Sequence, residues 1–207
     1  MVHHKFLLLS FVITLAAVQG IHAVDCDVTD TAANTTGGSR FNNEIGSTYS
    51  KQTLKNATNF TWKIFQQKTT ADRKNVAKVS LFIEDIGVEY AVNNKIHKMT
   101  HIWQWNGNGQ SPPGGLIEGI PDFVRLKSGY VPSHWMQPGK GDRWDQGYYF
   151  TAWFLDYLNG LRNGFVADLK KKLRAGYVLI TLLSCLGRLL ISSRVTTRPS
   201  MTIKGYG

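Results

Sequence analysis

Apolar positions recur along this chain with two different periods, in blocks separated by runs of glycine, proline, asparagine and aspartate. Over residues 42–65 they fall at Ile45, Tyr49, Leu54, Ala57, Phe60 and Ile64, a three-to-four spacing that predicts one amphipathic helix of several turns. The polar stretch 66–72 ends it. Residues 79–83 and 88–92 are rich in β-branched and aromatic side chains and flank Asp85-Ile86-Gly87, which predicts an antiparallel hairpin. Two strands alone are marginal in water, so this small sheet must lean on the helices or on a third strand.

Helical spacing returns at residues 97–105 and stops at Asn106-Gly107-Asn108-Gly109, a strong breaker, so this helix is short. Residues 116–126 carry the next helical pattern, with Pro121 inside it. An interior proline removes one backbone hydrogen bond and clashes with the carbonyl four residues back, at a cost of about 3 kcal/mol, which places Glu118 at a frayed or kinked helix end. Residues 129–147 form a glycine- and proline-rich loop holding Tyr130, His134, Trp135 and Trp144, aromatics that either line a cleft or clasp the core. Further helices are predicted over 149–161 and 165–173. The nearly uninterrupted apolar run 178–190 reads as a buried helix before an aperiodic tail. The resulting fold class is α+β, mainly helical with a small antiparallel sheet.

At 207 residues, 43% of them apolar, the chain fits one domain with a sizeable core and is not disordered. The first 23 residues change that picture: Lys5, an apolar run over 6–18 and a small residue at Ala23 have the order of a secretory signal peptide. The run is shorter than a bilayer span, which argues against a stable membrane anchor. The domain is therefore expected over residues 24–177, followed by a separate C-terminal segment, 178–207. Secretion agrees with glycosylation sequons at Asn34, Asn56 and Asn59. It also permits, without requiring, a bridge between the only two cysteines, Cys26 and Cys185. The net charge of +10 draws such a protein toward acidic polysaccharide and other anionic surfaces but specifies no nucleic-acid site. Its densest stretch, residues 170–174, ends a helical pattern and reads as a solvated helix C-terminus.

Candidate chemistry concentrates at His97-Lys98-Met99-Thr100-His101. Two histidines four apart share one helix face, and a carboxylate from the next helix, where Glu118 and Asp122 stand, would complete a three-ligand zinc site. In the zinc hydrolase pattern His-Glu-x-x-His, the residue after the first histidine is the general base that deprotonates the attacking water. Here that residue is Lys98, which accepts no proton while charged. At about 5 Å from a divalent ion and an effective dielectric of about 20, its charge would be repelled by roughly 7 kcal/mol, so Lys98 is expected either neutral or turned to solvent.

The run from His101-Ile102-Trp103-Gln104-Trp105 through Gly114-Gly115-Leu116-Ile117-Glu118-Gly119 to Asp122-Phe123-Val124-Arg125-Leu126 closely resembles the plant basic secretory proteins. The likeness covers most of residues 24–177, including Arg40-Phe41-Asn42-Asn43, Ser133-His134-Trp135 and Asp142-Arg143-Trp144-Asp145. It implies a secreted, defence-associated protein with a zincin-like domain and zinc as cofactor. His97, His101 and Glu118 would be the ligands, and Asp122 the carboxylate that orients a ligand histidine. His134 and Tyr148 would be either structural or oxyanion-stabilising.

The sequence departs from the family pattern in four places. Lys98 replaces a glutamate. The stretch before it is shorter, as if a strand and the motif helix were fused, so His97 is either the first ligand or a strand histidine. Pro121 replaces a small residue, and the segment after Tyr177 diverges. Two function classes follow. One is a zinc metallopeptidase-like protein of the apoplast or cell wall, acting on peptides or proteins with low or no activity because no intact catalytic base remains. The other is a non-catalytic cationic protein that binds cell-wall polysaccharide or microbial surfaces.

Overall fold

The computed structural model describes residues 24–85, 95–178 and 181–186. Strand β1 (Asp25–Asp30) pairs in parallel with β2 (Lys78–Ile83), Asp25 opposite Lys78 and Asp30 opposite Ile83. This corrects the expected antiparallel hairpin. Its first strand is β2, its second falls at residues 88–92, outside the described residues, and the partner seen is β1. A parallel pair requires a crossover to return the chain to the same end of the sheet, a relation that local patterning does not reveal. β1 also escapes the hydrophobic pattern, because Asp25 and Asp27 alternate with Cys26 and Val28. Cys26 is buried opposite Val79, while Asp27 pairs with Lys78 at 3.0 Å and Lys51 at 3.4 Å.

The crossover contains α1 (Thr36–Glu44), α2 (Gly46–Ile64) and a 3-10 turn at Thr70–Asp72. Where the spacing predicts one helix over 42–65, the chain instead breaks at Ile45, and Gly46 takes a φ of 75°, open to glycine but costly for other residues. Thr35 caps α1 by accepting a hydrogen bond from the Gly38 N–H at 3.1 Å.

The second half is helical: α3 (Lys95–Trp103), α4 (Gly114–Lys127), α5 (Tyr148–Leu161), α6 (Phe165–Ala175) and α7 (Thr181–Leu186). α3 stops where the glycine and asparagine run predicts, with Gly107, Asn108 and Gly109 all at positive φ. α7 occupies part of the apolar run and buries Leu182 and Cys185. Leu116, Ile120 and Val124 of α4 meet Ala152 and Leu155 of α5 in the core, each large apolar side chain contributing roughly 1.5–3 kcal/mol by its burial. A Cβ on Gly119 would lie 2.3 Å from Thr151 Cγ2, so glycine is what lets α4 and α5 approach this closely. Trp103, wholly buried, meets Trp62 of α2 edge-on at 5.0 Å and pins the end of α3.

The aromatic loop clasps the core: Trp135 packs on Tyr149 and Trp153, and Trp144 on Phe154. Cys26 and Cys185 are both buried and free, so the permitted bridge is not formed.

Candidate metal centre

Two facing helices each supply two polar side chains one turn apart. α3 carries His97 and His101, α4 carries Glu118 and Asp122, and the four-residue spacing puts each pair on one face. Glu118 lies within an unbroken helix, not at the frayed end expected from Pro121. The reason is a substitute donor. Pro121 has no N–H to give to the Ile117 carbonyl, and the Gln104 side-chain amide donates to that oxygen instead, at 3.0 Å. Gln104 is buried and thereby ties the end of α3 to α4 one residue before Glu118. Nothing in the sequence around Gln104 marks it for this role, although a helix-interior proline signals an orphaned carbonyl four residues back.

The four side chains converge. His97 Nδ1 lies 2.7 Å from Asp122 Oδ1, His97 Nε2 lies 3.2 Å from Glu118 Oε2, and His101 Nε2 lies 3.1 Å from His97 Nε2 and 3.5 Å from Glu118 Oε2. A carboxylate only accepts, so His97 donates its Nδ1–H to Asp122, and in the neutral imidazole Nε2 then carries a lone pair. That lone pair faces the Glu118 carboxylate and His101 Nε2, whose own role as donor or acceptor depends on its tautomer. With His101 protonated at Nδ1, the three atoms form a set that could hold a cation at its centre. Ligand atoms about 2.1 Å from one tetrahedral zinc sit roughly 3.4 Å apart, and the three separations of 3.1, 3.2 and 3.5 Å match that face. His97, His101 and Glu118 are the one such group among the described residues.

Burial, and then the neighbouring His97, lower the His101 pKa, which favours the neutral ligand-competent imidazole. Glu118 and His101 are partly exposed, whereas His97 and Asp122 are buried, so the group opens on one side only. Lys98, about 100° around the helix from His97, is solvent-exposed, the second of its two expected placements. Its charge still contributes to lowering the His101 pKa. His97 lies in helix α3, with its Nε2 beside His101 and Glu118.

Tyr148 stacks over the His97 ring, with centroids 6.3 Å apart and planes 20° from parallel. It holds a φ of 45°, uncommon for a non-glycine residue, at the start of α5. His134 is exposed in the aromatic loop and lies outside the ligand group. Asn34, Asn56 and Asn59 are all exposed. Among the described residues, no helix is long and apolar enough to cross a membrane.

Fold and site together define a mainly helical α+β protein with a two-histidine, one-carboxylate metal-type group on adjoining helices. The family described as "Peptidase of plants and bacteria" (BSP) matches residues 21–95 and 88–193, and the chain belongs to that family. The two matched segments overlap just before and into α3, where the sequence reads as a fused strand and helix. A basic secretory protease of Boswellia serrata is 66% identical over 29 residues, which are 14% of this chain and 45% of that protein. The chain thus spans about half the length of the curated relative it matches. No solved structure matches it.

Proposed function

We propose that this chain is a secreted, zinc-binding member of its peptidase family whose hydrolytic power is impaired by Lys98. The observation that carries the reading is the convergence of three potential ligand atoms, with Asp122 accepting a hydrogen bond from His97 Nδ1 so that Nε2 faces inward. His97, His101 and Glu118 would hold the ion. When bound, zinc would supply Lewis-acid polarisation of a peptide carbonyl. Glu118 is committed as a ligand and Asp122 is buried behind His97, so neither is free to take a proton from water. Lys98 stands in the position that would otherwise provide that base. Secretion to the apoplast or cell wall, a role in plant defence, peptide or protein substrates and a zincin-like architecture belong to the same reading, through the family resemblance.

The test pairs metal content with activity. Purified protein supplied with zinc should retain about one ion per chain, and His101→Ala or Glu118→Gln should retain none. Wild type should hydrolyse a general protein substrate at or near background. Lys98→Glu should raise that rate by about a hundredfold or more, the contribution of a positioned general base. Absence of zinc from the wild type would remove the metal site; zinc without any gain in Lys98→Glu would remove Lys98 as the cause of impairment.

A further inference from the structure

A polar cleft that shares no lining residue with the histidine and carboxylate group is built from α6, Asp72 of the Thr70–Asp72 turn and Trp105. Its interior is about 140 Å³, well beyond the space one water needs. Lys170 reaches into it from the middle of α6 and is only 2% exposed. An ammonium has three N–H donors. The Lys170 ammonium has one acceptor, the Asp72 backbone carbonyl at 3.4 Å, and otherwise faces the rings of Phe65 at 5.5 Å and Trp105 at 5.6 Å.

The cations around it are in surplus. Lys74 and Arg174 stand over the same Trp105 ring, at 5.6 and 5.2 Å, and Lys171 lines the cleft. Two carboxylates also line it; the Asp72 charge favours the charged form of Lys170 from a distance, but neither carboxylate makes an ion-pair contact with the cleft lysines or Arg174. Asp72 accepts from the Thr69 N–H and hydroxyl, at 2.9 and 2.8 Å, and Asp168 pairs with Arg162 at 2.7 Å. Among the described residues, none of Lys74, Lys170, Lys171 and Arg174 has an ion pair. The Trp105 indole N–H, also buried, has no acceptor. A buried ammonium without a carboxylate in contact is costly, the more distant Asp72 charge offsetting that only in part, and the same group becomes favourable once an anion pairs with it.

We propose that this cleft binds a small anionic oxygen group, a carboxylate, sulfate or phosphate, at a site separate from the histidine and carboxylate group. Lys170 is its buried contact, and Arg174 and Lys171 form its rim. Burial, then the Arg174 charge, holds the Lys170 pKa down to about 7, and an anion would reverse that by favouring the charged form. The shared chemistry admits two sources, an inorganic or ester oxyanion and the uronate of an acidic polysaccharide.

Calorimetric titration of the full chain at constant ionic strength, with inorganic phosphate, sulfate and a short oligouronide in turn, separates them. Saturable binding of phosphate or sulfate alone supports the first source, and preference for the oligouronide supports the second. Lys170→Met and Arg174→Gln should each weaken that binding by about tenfold or more, while Lys63→Gln, an exposed change on α2, should leave it intact. Arg174 is exposed, so its variant keeps the test decisive even where the core substitution at Lys170 disturbs folding. No saturable binding of any of the three, or equal loss in Lys63→Gln, overturns the site.

Discussion

Lys170 shows how a single residue can belong to a helix face that its chemistry does not suit. Residues 170–174 read in sequence as a solvated helix end, and Lys171, Lys172 and Arg174 are indeed exposed. Lys170, however, falls in register with Val166, Leu169 and Leu173 and is buried with them. Its folded pKa of about 7 lies far below the roughly 10.4 of a free lysine. Between those values the unfolded chain binds the more protons, so stability rises with pH from about 7 to about 10, and below 7 the whole cost of the buried charge is present. Lys170→Met should therefore stabilise the fold near pH 6 by roughly 2–5 kcal/mol, with the gain fading toward pH 10. Urea unfolding of both proteins across that range reads it directly; a difference independent of pH would contradict the buried charge.

Among the elements, α4 depends on a contact that its own sequence cannot supply. Pro121 leaves the Ile117 carbonyl without its helical donor, and Gln104 replaces that donor from the end of α3. Gln104→Leu should cost about 1–3 kcal/mol, because a buried acceptor is left unpaired. In a Pro121→Ala background the helical N–H returns, and the same Gln104→Leu change should cost much less. A double-mutant cycle by chemical denaturation measures the coupling, and additive effects would show that the two residues act independently. Much of the element order was legible from apolar spacing: α3 to α6 lie close to their predicted positions. The break between α1 and α2 was not, since the spacing continues across Ile45 while the backbone turns at Gly46.

Across the whole molecule, the ligand group joins α3 to α4, and through Gly119 and Thr151 α4 is locked to α5. An ion held by His97, His101 and Glu118 would thus cross-link packed elements, and binding only to the folded state raises stability. Zinc at about a hundred times its dissociation constant should add roughly 3 kcal/mol, a melting shift on the order of 5–10 °C for a domain this size. A chelator should reverse the shift, and Glu118→Gln should abolish it. A wild-type melting curve indifferent to zinc would count against the metal centre.

The candidate site was legible to the extent that it is local. Spacings of four residues within α3 and within α4 put His97 with His101 and Glu118 with Asp122 on shared faces whatever else the chain does, because helix geometry sets that relation. Relations between distant residues were decided only by packing. The parallel pairing of β1 with β2, the free state of Cys26 and Cys185, the outward turn of Lys98 and the inward burial of Lys170 all depend on which faces meet. So does the position of His97, which the sequence allowed to be strand or ligand. Its place beside Glu118 and His101 follows from α3 packing against α4, where Asp122 accepts a hydrogen bond from its Nδ1–H and Nε2 faces both.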